Sequence, residues 1–489
     1  MGALTAKPYS FRNRTWELVS IESIDILDSL CSNIRIDTRN NIVERVLPKP
    51  NDNLNEEWIT DKIRFCYDGF KKQRVSFPFY KILHNNTTFF ILCSWYVLFN
   101  KIKTNHLLNY NNDNLLNKSV WSFYTGHLVD MFSLSTLKTL SSVLGINTIN
   151  INLNLNIDLR KYYLFNNNIK TFDFNNVFLI LGMNPKVDSP ILNMKLRQIK
   201  YKYKKQINIC YIGNKMMLNY SLTHLGITSN TLMSLLYGKS FFCKIIKKIH
   251  NVICLYSIGF SFLTNNNLPV TLDLLSWFLK TTFIHNYITL YASDVSIYEL
   301  GMTSYYYNKS TFINKQQTTM LYLLGVDYNN MSIDNTKKFV MYHGHHANIG
   351  VANASVIMPS NLYIENTCFF MNCEGRFMVS NVAITKKQKI NNTESVLFNL
   401  FSYLYNKTKF NIHIKRLFIL FFYKTNFFFT KYKYTVKTYL NLLKHIGICA
   451  VYSSNSVFTI ANTFYNMDVL SKSSYYLVQL YTQEQNLNF

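Results

Sequence analysis

Glycine and proline are scarce in this chain: its 489 residues hold only 15 and 8 of them, where roughly 7% and 5% are usual. Phe (37), Tyr (35) and abundant Asn, Lys and Ile take their place. The enriched residues have codons rich in A and T and the depleted ones codons rich in G and C, so the bias reads as that of an AT-rich genome. Long apolar runs are missing too. The two longest candidates, Phe89–Phe99 and Leu417–Tyr423, are too short to span hydrocarbon at about 1.5 Å per residue, and the expectation is a soluble or peripheral protein. The start, MGALTAKPYS, has no secretory apolar region. Ala6 breaks the myristoylation pattern, and Glu17 and Glu22 follow the first arginines too closely for a transit peptide. No G-x-G-x-x-G occurs, so a dinucleotide site on this chain has no support.

Paired metal-binding cysteines are also lacking. The nine cysteines (Cys31, Cys66, Cys93, Cys210, Cys243, Cys254, Cys368, Cys373, Cys449) are odd in number and widely spread, which suits reduced, buried thiols. Cys368 and Cys373 make one C-x4-C with no second pair nearby, and a metal site needs more ligands. Acidic residues are outnumbered, 26 against 51 Lys and Arg, for a net charge of +25. Such a charge raises the question of nucleic acid or an anionic membrane. The basic residues are scattered, however, and their densest run, Lys200–Lys205, lies between a helix and a strand pattern. A solvated surface or an acidic protein partner fits that scatter better than a nucleic-acid groove, which gathers cations and aromatics on one face.

What is present is long enough for several domains and needs no cofactor to bury a sizeable core. Residues 1–76 mix short β-type runs (32–37, 42–47) with an acidic turn at 51–57 and read as a small irregular domain. Residues 77–386 show short, continuously apolar runs, each followed by a helix-length segment: 177–181, 207–212, 252–258, 287–291, 320–324, 339–342 and 355–358. Runs without alternation suit strands covered on both faces, and their alternation with helices predicts an α/β fold of doubly wound parallel sheets. Several end in glycine (Gly182, Gly213, Gly259, Gly325), and the carboxyl edge of such sheets is where ligands bind. Residues 387–489 are expected to be an extension packing back on the α/β domain, with 416–434 unassigned.

Four motifs lie near those edges. Gly238-Lys239-Ser240 looks like the tail of a phosphate-binding loop, but Met233 stands where the first glycine belongs, and a helix-ending glycine is the better reading. His343, His345 and His346, with Gly344 between them, follow a strand; with no carboxylate or cysteine in the residues that follow until Glu365, a hydrogen-bonded loop is preferred to a metal site. Asn184-Pro185 ends another strand, ahead of Asp188, Pro190, Asn193 and Arg197; the alternatives are a phosphate or pterin grip and a turn leading into a helix capped by Asp188 or Ser189. Asn372-x-Glu374-Gly375-Arg376 is a weak turn motif by itself.

Taken in order, the blocks resemble the large iron–sulfur subunit of NADH:ubiquinone oxidoreductase (respiratory complex I), whose back half has the fold of molybdopterin oxidoreductases such as formate dehydrogenase. The resemblance runs from Gly2-Ala3-Leu4-Thr5 through Asn55-Glu56-Glu57-Trp58, Asp158-Leu159-Arg160, Leu181-Gly182-Met183-Asn184-Pro185 and His224-Leu225-Gly226. It continues through the run from Tyr342 to Ser360, the Asn372–Arg376 turn and a closing segment with Phe464-Tyr465, Asp468, Ser471 and Ser474. In relatives with an additional tetranuclear cluster, four cysteines stand where this sequence has Asp25, Asp28, Ser32 and Thr60. Clusters are held by thiolates, or more rarely histidines, so the resemblance implies vestigial cluster positions here and a degenerate first domain. Asn184, Pro185, Gly344, His345, His346, Glu374 and Arg376 are likewise taken as vestigial groove loops.

The function this implies is that of a structural and assembly component of the matrix-side, peripheral arm of complex I, with no catalytic residue, metal or cofactor of its own. FMN and the iron–sulfur clusters are expected in partner subunits. The family's cluster-bearing front part precedes the Gly-Ala-Leu-Thr, so it is expected on a separate chain. The composition agrees with a mitochondrially encoded protein of the inner membrane's matrix side, in contact with flavin/NADH-binding subunits and touching the membrane only through the complex. The alternatives are a molybdopterin-type oxidoreductase with its own cofactor and a basic nucleic-acid-binding protein.

Overall fold

The computed structural model describes residues 2–84, 87–112, 121–143, 149–151, 163–174, 177–203, 207–227, 229–246, 251–257, 282–302, 320–326, 339–385, 391–405 and 464–487. The segments Asp158–Arg160 and 416–434, Gly259 and Cys449 lie outside the described residues. No described helix is long and apolar enough to cross a membrane.

Near the amino end, β1 (Val19–Ile24), β2 (Asn33–Arg39) and β3 (Ile42–Pro48) form an antiparallel meander. Its strands obey period two. Ile34 and Ile36 are buried, whereas Arg35 and Asp37 pair on the other face, where Arg45 also reaches Asp37 at 2.7 Å. Under the meander lie the helix Asp61–Phe65 and the carboxy-terminal helices Val469–Ser473 and Tyr475–Leu487; Ile63, Cys66, Leu470 and Leu477 share one core with Ile34, Val43 and Val46.

Among the described residues the largest sheet has seven strands, in the order β5 (Thr87–Leu92), β4 (Phe79–His84), β15 (Val356–Pro359), β14 (Phe339–Gly344), β13 (Met320–Leu324), β6 (Trp121–Thr125) and β7 (Ile149–Ile151). The β4–β5 hairpin adds antiparallel edge strands, and the remaining neighbours are parallel. A second sheet, parallel throughout, has the order β10 (Thr223–Gly226), β9 (Asn208–Ile212), β8 (Val177–Leu181), β11 (Asn251–Ser257) and β12 (Thr282–Ile288). A short hairpin, β16 (Cys368–Met371) with β17 (Phe377–Ser380), follows.

Continuous apolar runs have the expected cause: both faces of the central strands are covered. In β13, Met320, Tyr322 and Leu324 enter one core and Leu321 and Leu323 another; in β8, Val177, Leu179 and Leu181 part from Phe178 and Ile180 in the same way. One face of each sheet thereby meets in a common core. The helix Met131–Val143 contributes Leu134, Leu137 and Leu140 to it, and Thr393–Tyr405 contributes Val396, Leu397, Leu400 and Phe401, both at helical spacing. Phe401 packs on Trp121 and Phe123.

One strand is shifted from its expected place. The run 287–291 was to be the strand; β12 instead spans Thr282–Ile288 in register with β11, and Tyr291 ends the approach to the helix Ala292–Glu299, its N–H donating to Asp294 Oδ2 at 3.2 Å. The glycine of Gly238-Lys239-Ser240 ends the helix Ser229–Leu236 at φ +70°, with Gly238 N–H donating to Leu235 O and Lys239 N–H to Ser234 O. That paired pattern is a Schellman ending.

In both sheets strand order reverses between neighbours, at β8/β11 and at β6/β13. Such switch points open a crevice beyond the carboxyl ends. At β6/β13 the backbones come very close: a Cβ on Gly126 would stand 1.9 Å from Gly325 O, so only glycine fits.

Candidate functional site

The segment Asp25–Ser32 between β1 and β2 is tied by its own backbone, with Asp25 N–H donating to Ser32 O. All four positions aligned with cluster ligands are buried. The structure brings Asp25 and Thr60 together, the threonine hydroxyl donating to Asp25 Oδ2 at 2.9 Å while its oxygen caps Asp61–Phe65 through Ile63 N–H. Asp25 Oδ1 accepts from Leu27 N–H, and Asp28 Oδ1 from Leu30 N–H. Burial raises Asp25 to about 6, against the two hydrogen bonds, and raises Asp28 to about 7 with added repulsion from Asp25.

The nearby cation is Lys62, itself buried and paired with Asp468 at 2.6 Å. The same neighbourhood reaches the second sheet. A small cavity is lined by Asp28, Thr60, Lys62 and Asp188, with Tyr291 and Met467. Asp188 accepts from Asn184 N–H, and burial raises it to about 7. Asn184 caps the helix Pro185–Asp188, with proline at its first position. Ser189 O accepts the first bond of the next helix, Pro190–Tyr203. Sequence reasoning missed Lys62 and the reach of Asp468; no local signal marks a pair 406 residues apart (468 less 62).

The histidine loop is anchored to the amino-terminal part. His346 Nε2 lies 2.9 Å from Gly69 O, His345 Nδ1 2.6 Å from His346 Nδ1, and Tyr342 Oη donates to His346 O. Backbone bonds Val75 N–H to His345 O and Ala347 N–H to Gln73 O complete the tie. Gly344 accommodates the Tyr342 ring, whose hydroxyl would stand 2.5 Å from an added Cβ. Glu374 and Arg376 are elsewhere, in the β16–β17 turn: Glu374 accepts from Ile169 N–H at 3.0 Å and pairs with Arg376 at 2.9 Å, while Cys373 N–H donates to Ser29 O. The expected groove residues therefore do not converge on one place.

A larger cavity, about 830 Å³ counting the solvent at its mouth, opens at the β6/β13 switch point. Of the expected groove residues only His345 lines it, joined by His343, Tyr363, Asp130 and Glu394. Asp130 caps Met131–Val143 by accepting from Ser133 N–H and Oγ. Burial raises Asp130, and burial with repulsion from Asp130 raises Glu394 to about 7. Burial lowers His343 to about 3, so it is neutral. Asp130 and Glu394 were not singled out from sequence, although an aspartate just before an apolar helix is a recognisable cap.

This architecture, with parallel sheets opening at switch points, is that of a molybdopterin-type α/β protein, and the sequence comparison agrees. Residues 74–400 match the molybdopterin oxidoreductase family, and the chain belongs to that family. Residues 18–68 match the NADH-ubiquinone oxidoreductase NDSU1/NuoG-like 4Fe-4S domain. Among curated relatives, the NADH-ubiquinone oxidoreductase 75 kDa subunit of Reclinomonas americana is 33% identical over 401 residues, covering 77% of this chain and 56% of the relative. The mitochondrial NADH-ubiquinone oxidoreductase 78 kDa subunit of Neurospora crassa is 31% identical over 78% of this chain and 51% of its own length. The mitochondrial NADH dehydrogenase [ubiquinone] iron-sulfur protein 1 of Solanum tuberosum is 30% identical at the same two coverages. The chain thus spans about half the length of the curated relatives it matches. The formyltransferase/hydrolase complex of Methylorubrum extorquens aligns over 67% of this chain and 99% of the matched chain at TM-score 0.48 and 9% identity, too slight a likeness to carry an argument.

The 4Fe-4S match corrects the expectation that this chain holds no cofactor. Residues 18–68 form a domain of an iron–sulfur type, which points to a cluster here. The donors in the fold do not fit a four-thiolate cluster. The segment has two thiols, Cys31 and Cys66, both buried and both pushed well above the usual thiol range, by desolvation first and then by neighbouring carboxylates. A cluster ligand has to be the thiolate. Among the described residues no three His, Cys, Asp or Glu side chains are gathered as a metal site.

Proposed function

We propose that the chain is a structural and assembly component of the peripheral, matrix-side arm of a mitochondrial NADH–ubiquinone oxidoreductase, supporting electron transfer from NADH to ubiquinone by holding neighbouring subunits in place. The observation that carries this reading is the similarity, over more than three quarters of the chain, to subunits that bear that enzyme's name. The contacts support it too. Asn184, Pro185, Gly344, His346, Glu374 and Arg376 cap helices, pin loops and pair with each other. In this reading residues 1–76, 77–386 and 387–489 are the three parts, and the excess of 25 positive charges faces acidic neighbours. Those neighbours are flavin/NADH-binding subunits and an iron–sulfur chain carried separately, and the AT-rich composition agrees with mitochondrial encoding.

Native gels stained for NADH dehydrogenase activity test the proposal. The chain is expected to co-migrate with the active band beside a cysteine-rich polypeptide, and its depletion to dissolve that band; migration alone would overturn it. The family match over residues 74–400 favours a second reading, a molybdopterin-type oxidoreductase. About one molybdenum or tungsten per purified chain would establish that one.

A further inference from the structure

Strand β5 ends the seven-stranded sheet, paired on one side with β4 and with no described strand on the other. Its sequence, Thr-Thr-Phe-Phe-Ile-Leu, has neither charge nor proline, the usual devices that keep a sheet edge from pairing with another chain. Other edges are better guarded. At the far end of the same sheet β7 has three residues; in the second sheet β10 has four, and Asn286 of β12 is bridged by Phe165. Side chains on both faces of β5 are open as well. Phe89 is 53% exposed, Phe90 39%, Ile91 38% and Leu92 58%, and the exposed Tyr96 and Val97 continue the surface into the first turn of the helix Trp95–Asn112. A contiguous apolar run on an open edge marks an interaction surface.

Backbone and charge decide what covers it. An open strand edge carries a row of amide donors and carbonyl acceptors that hydrocarbon cannot satisfy, so lipid is a poor cover and another strand a good one. Cations flank both faces. Lys81, opposite Phe90 in the ladder, has its Nζ 5.8 Å from that ring's centroid, and Lys101 Nζ stands 5.5 Å from the ring centroid of Tyr80, which lies opposite Ile91. Successive residues of a strand point to opposite faces, so each face has its own lysine. No Asp or Glu occurs between Asp68 and Asp113, and a second copy pairing edge to edge would set these lysines against their own kind. We propose that β5 docks an extended, acidic segment of a partner protein, which joins the sheet as a further strand with its backbone bonded to β5 and its carboxylates set against Lys81 and Lys101. This gives one of the acidic neighbours proposed above a place to attach. Native gels test membership of the complex, whereas binding at this edge is read separately, with peptides.

Three probes are titrated against the full chain: a short fluorescent peptide alternating glutamate and valine, its lysine–valine counterpart, and phosphatidylglycerol vesicles. The glutamate peptide is expected to bind saturably below about 1 mM and at least about tenfold tighter than the lysine peptide. Hydrogen exchange should find the outward amides of β5 fast in the free chain and slowed by the bound glutamate peptide, which separates strand pairing from charge attraction alone. Lys81→Glu combined with Lys101→Glu should invert the preference between the two peptides, a gain that a misfolded variant cannot show. The proposal is overturned if the two peptides bind alike, if the double reversal leaves the preference unchanged, or if the bound peptide leaves exchange in β5 as it was. Protection of β5 in the free monomer, in a dimer seen by sedimentation, or by the vesicles alone overturns it too, and names this chain, a second copy or a membrane as the cover.

Discussion

Two polar pockets in this molecule differ in what ties their side chains together. Around Asp25, Asp28 and Thr60, Thr60 serves Asp25 and a helix end at once and Lys62 pairs with Asp468, while Asp28 Oδ2 and Ser32 Oγ are buried without a hydrogen-bond partner among the described residues. At the β6/β13 edge His343 and Tyr363 line a cavity, and His343 Nε2 and Tyr363 Oη are shut in without a hydrogen-bond partner among the described residues. The first is held by an ion pair and a shared helix cap; the two orphaned atoms of the second make no such link. The contrast separates side chains whose contacts hold the fold from buried groups that hold nothing, and it is measurable.

The largest effect is expected at Lys62. Lys62→Met leaves Asp468 buried without its cation beside two further carboxyls, and should cost about 3–5 kcal/mol in urea unfolding; a loss under about 1 kcal/mol would show that the network is not structural. Next comes the pH response of the same pocket. Asp25 and Asp28 titrate at about 6 and 7 in the folded chain, above the roughly 3.9 of an unfolded aspartate. The folded state therefore binds more protons between about pH 4 and 7, and stability falls as pH rises through that window. Asp28→Asn should flatten the slope and stabilise the chain near pH 8 by about 2 kcal/mol, read as melting temperature against pH. An unchanged slope would remove Asp28 from the account.

Smaller still is Thr60→Val, which removes a cap and a hydrogen bond to a buried carboxyl at nearly constant volume, for about 1–2 kcal/mol. In the other pocket, Tyr363→Phe should change stability by less than about 0.5 kcal/mol, because the lost hydroxyl has no hydrogen-bond partner among the described residues. Equal costs at Thr60 and Tyr363 in chemical denaturation would break the comparison.

Much of the fold was legible where chemistry is local. The runs at 177–181, 320–324 and 339–342 became central strands because nothing in them suits a solvent-facing side, and Gly238 announced a helix end because only glycine takes that backbone turn cheaply. The β4–β5 hairpin was overlooked: its strands lie at an edge, and Phe89, Phe90, Ile91 and Leu92 are exposed, so no buried alternation marks them. β6 was missed because Ser122 and Thr125 interrupt its apolar run although the strand is almost wholly buried. The carboxy-terminal part also divides in a way no pattern announced. Thr393–Tyr405 enters the core between the sheets, and 469–487 joins the amino-terminal core.

The motifs fared differently. Asp25, Asp28, Ser32 and Thr60 were found by alignment of short blocks, and the match of 18–68 to an iron–sulfur domain corrected the expectation of a chain without cofactor. Local order by itself determined the α/β class and the ends of several helices, since side-chain period, apolar continuity and backbone sterics act over a few residues. Only the tertiary structure decided that Lys62 meets Asp468, that the histidine loop fastens to Gly69, and that His343 and Tyr363 line one cavity. Those pairings join segments far apart in the chain, and burial, which raises the carboxyls and leaves a hydroxyl unanswered, exists only once the segments are packed together.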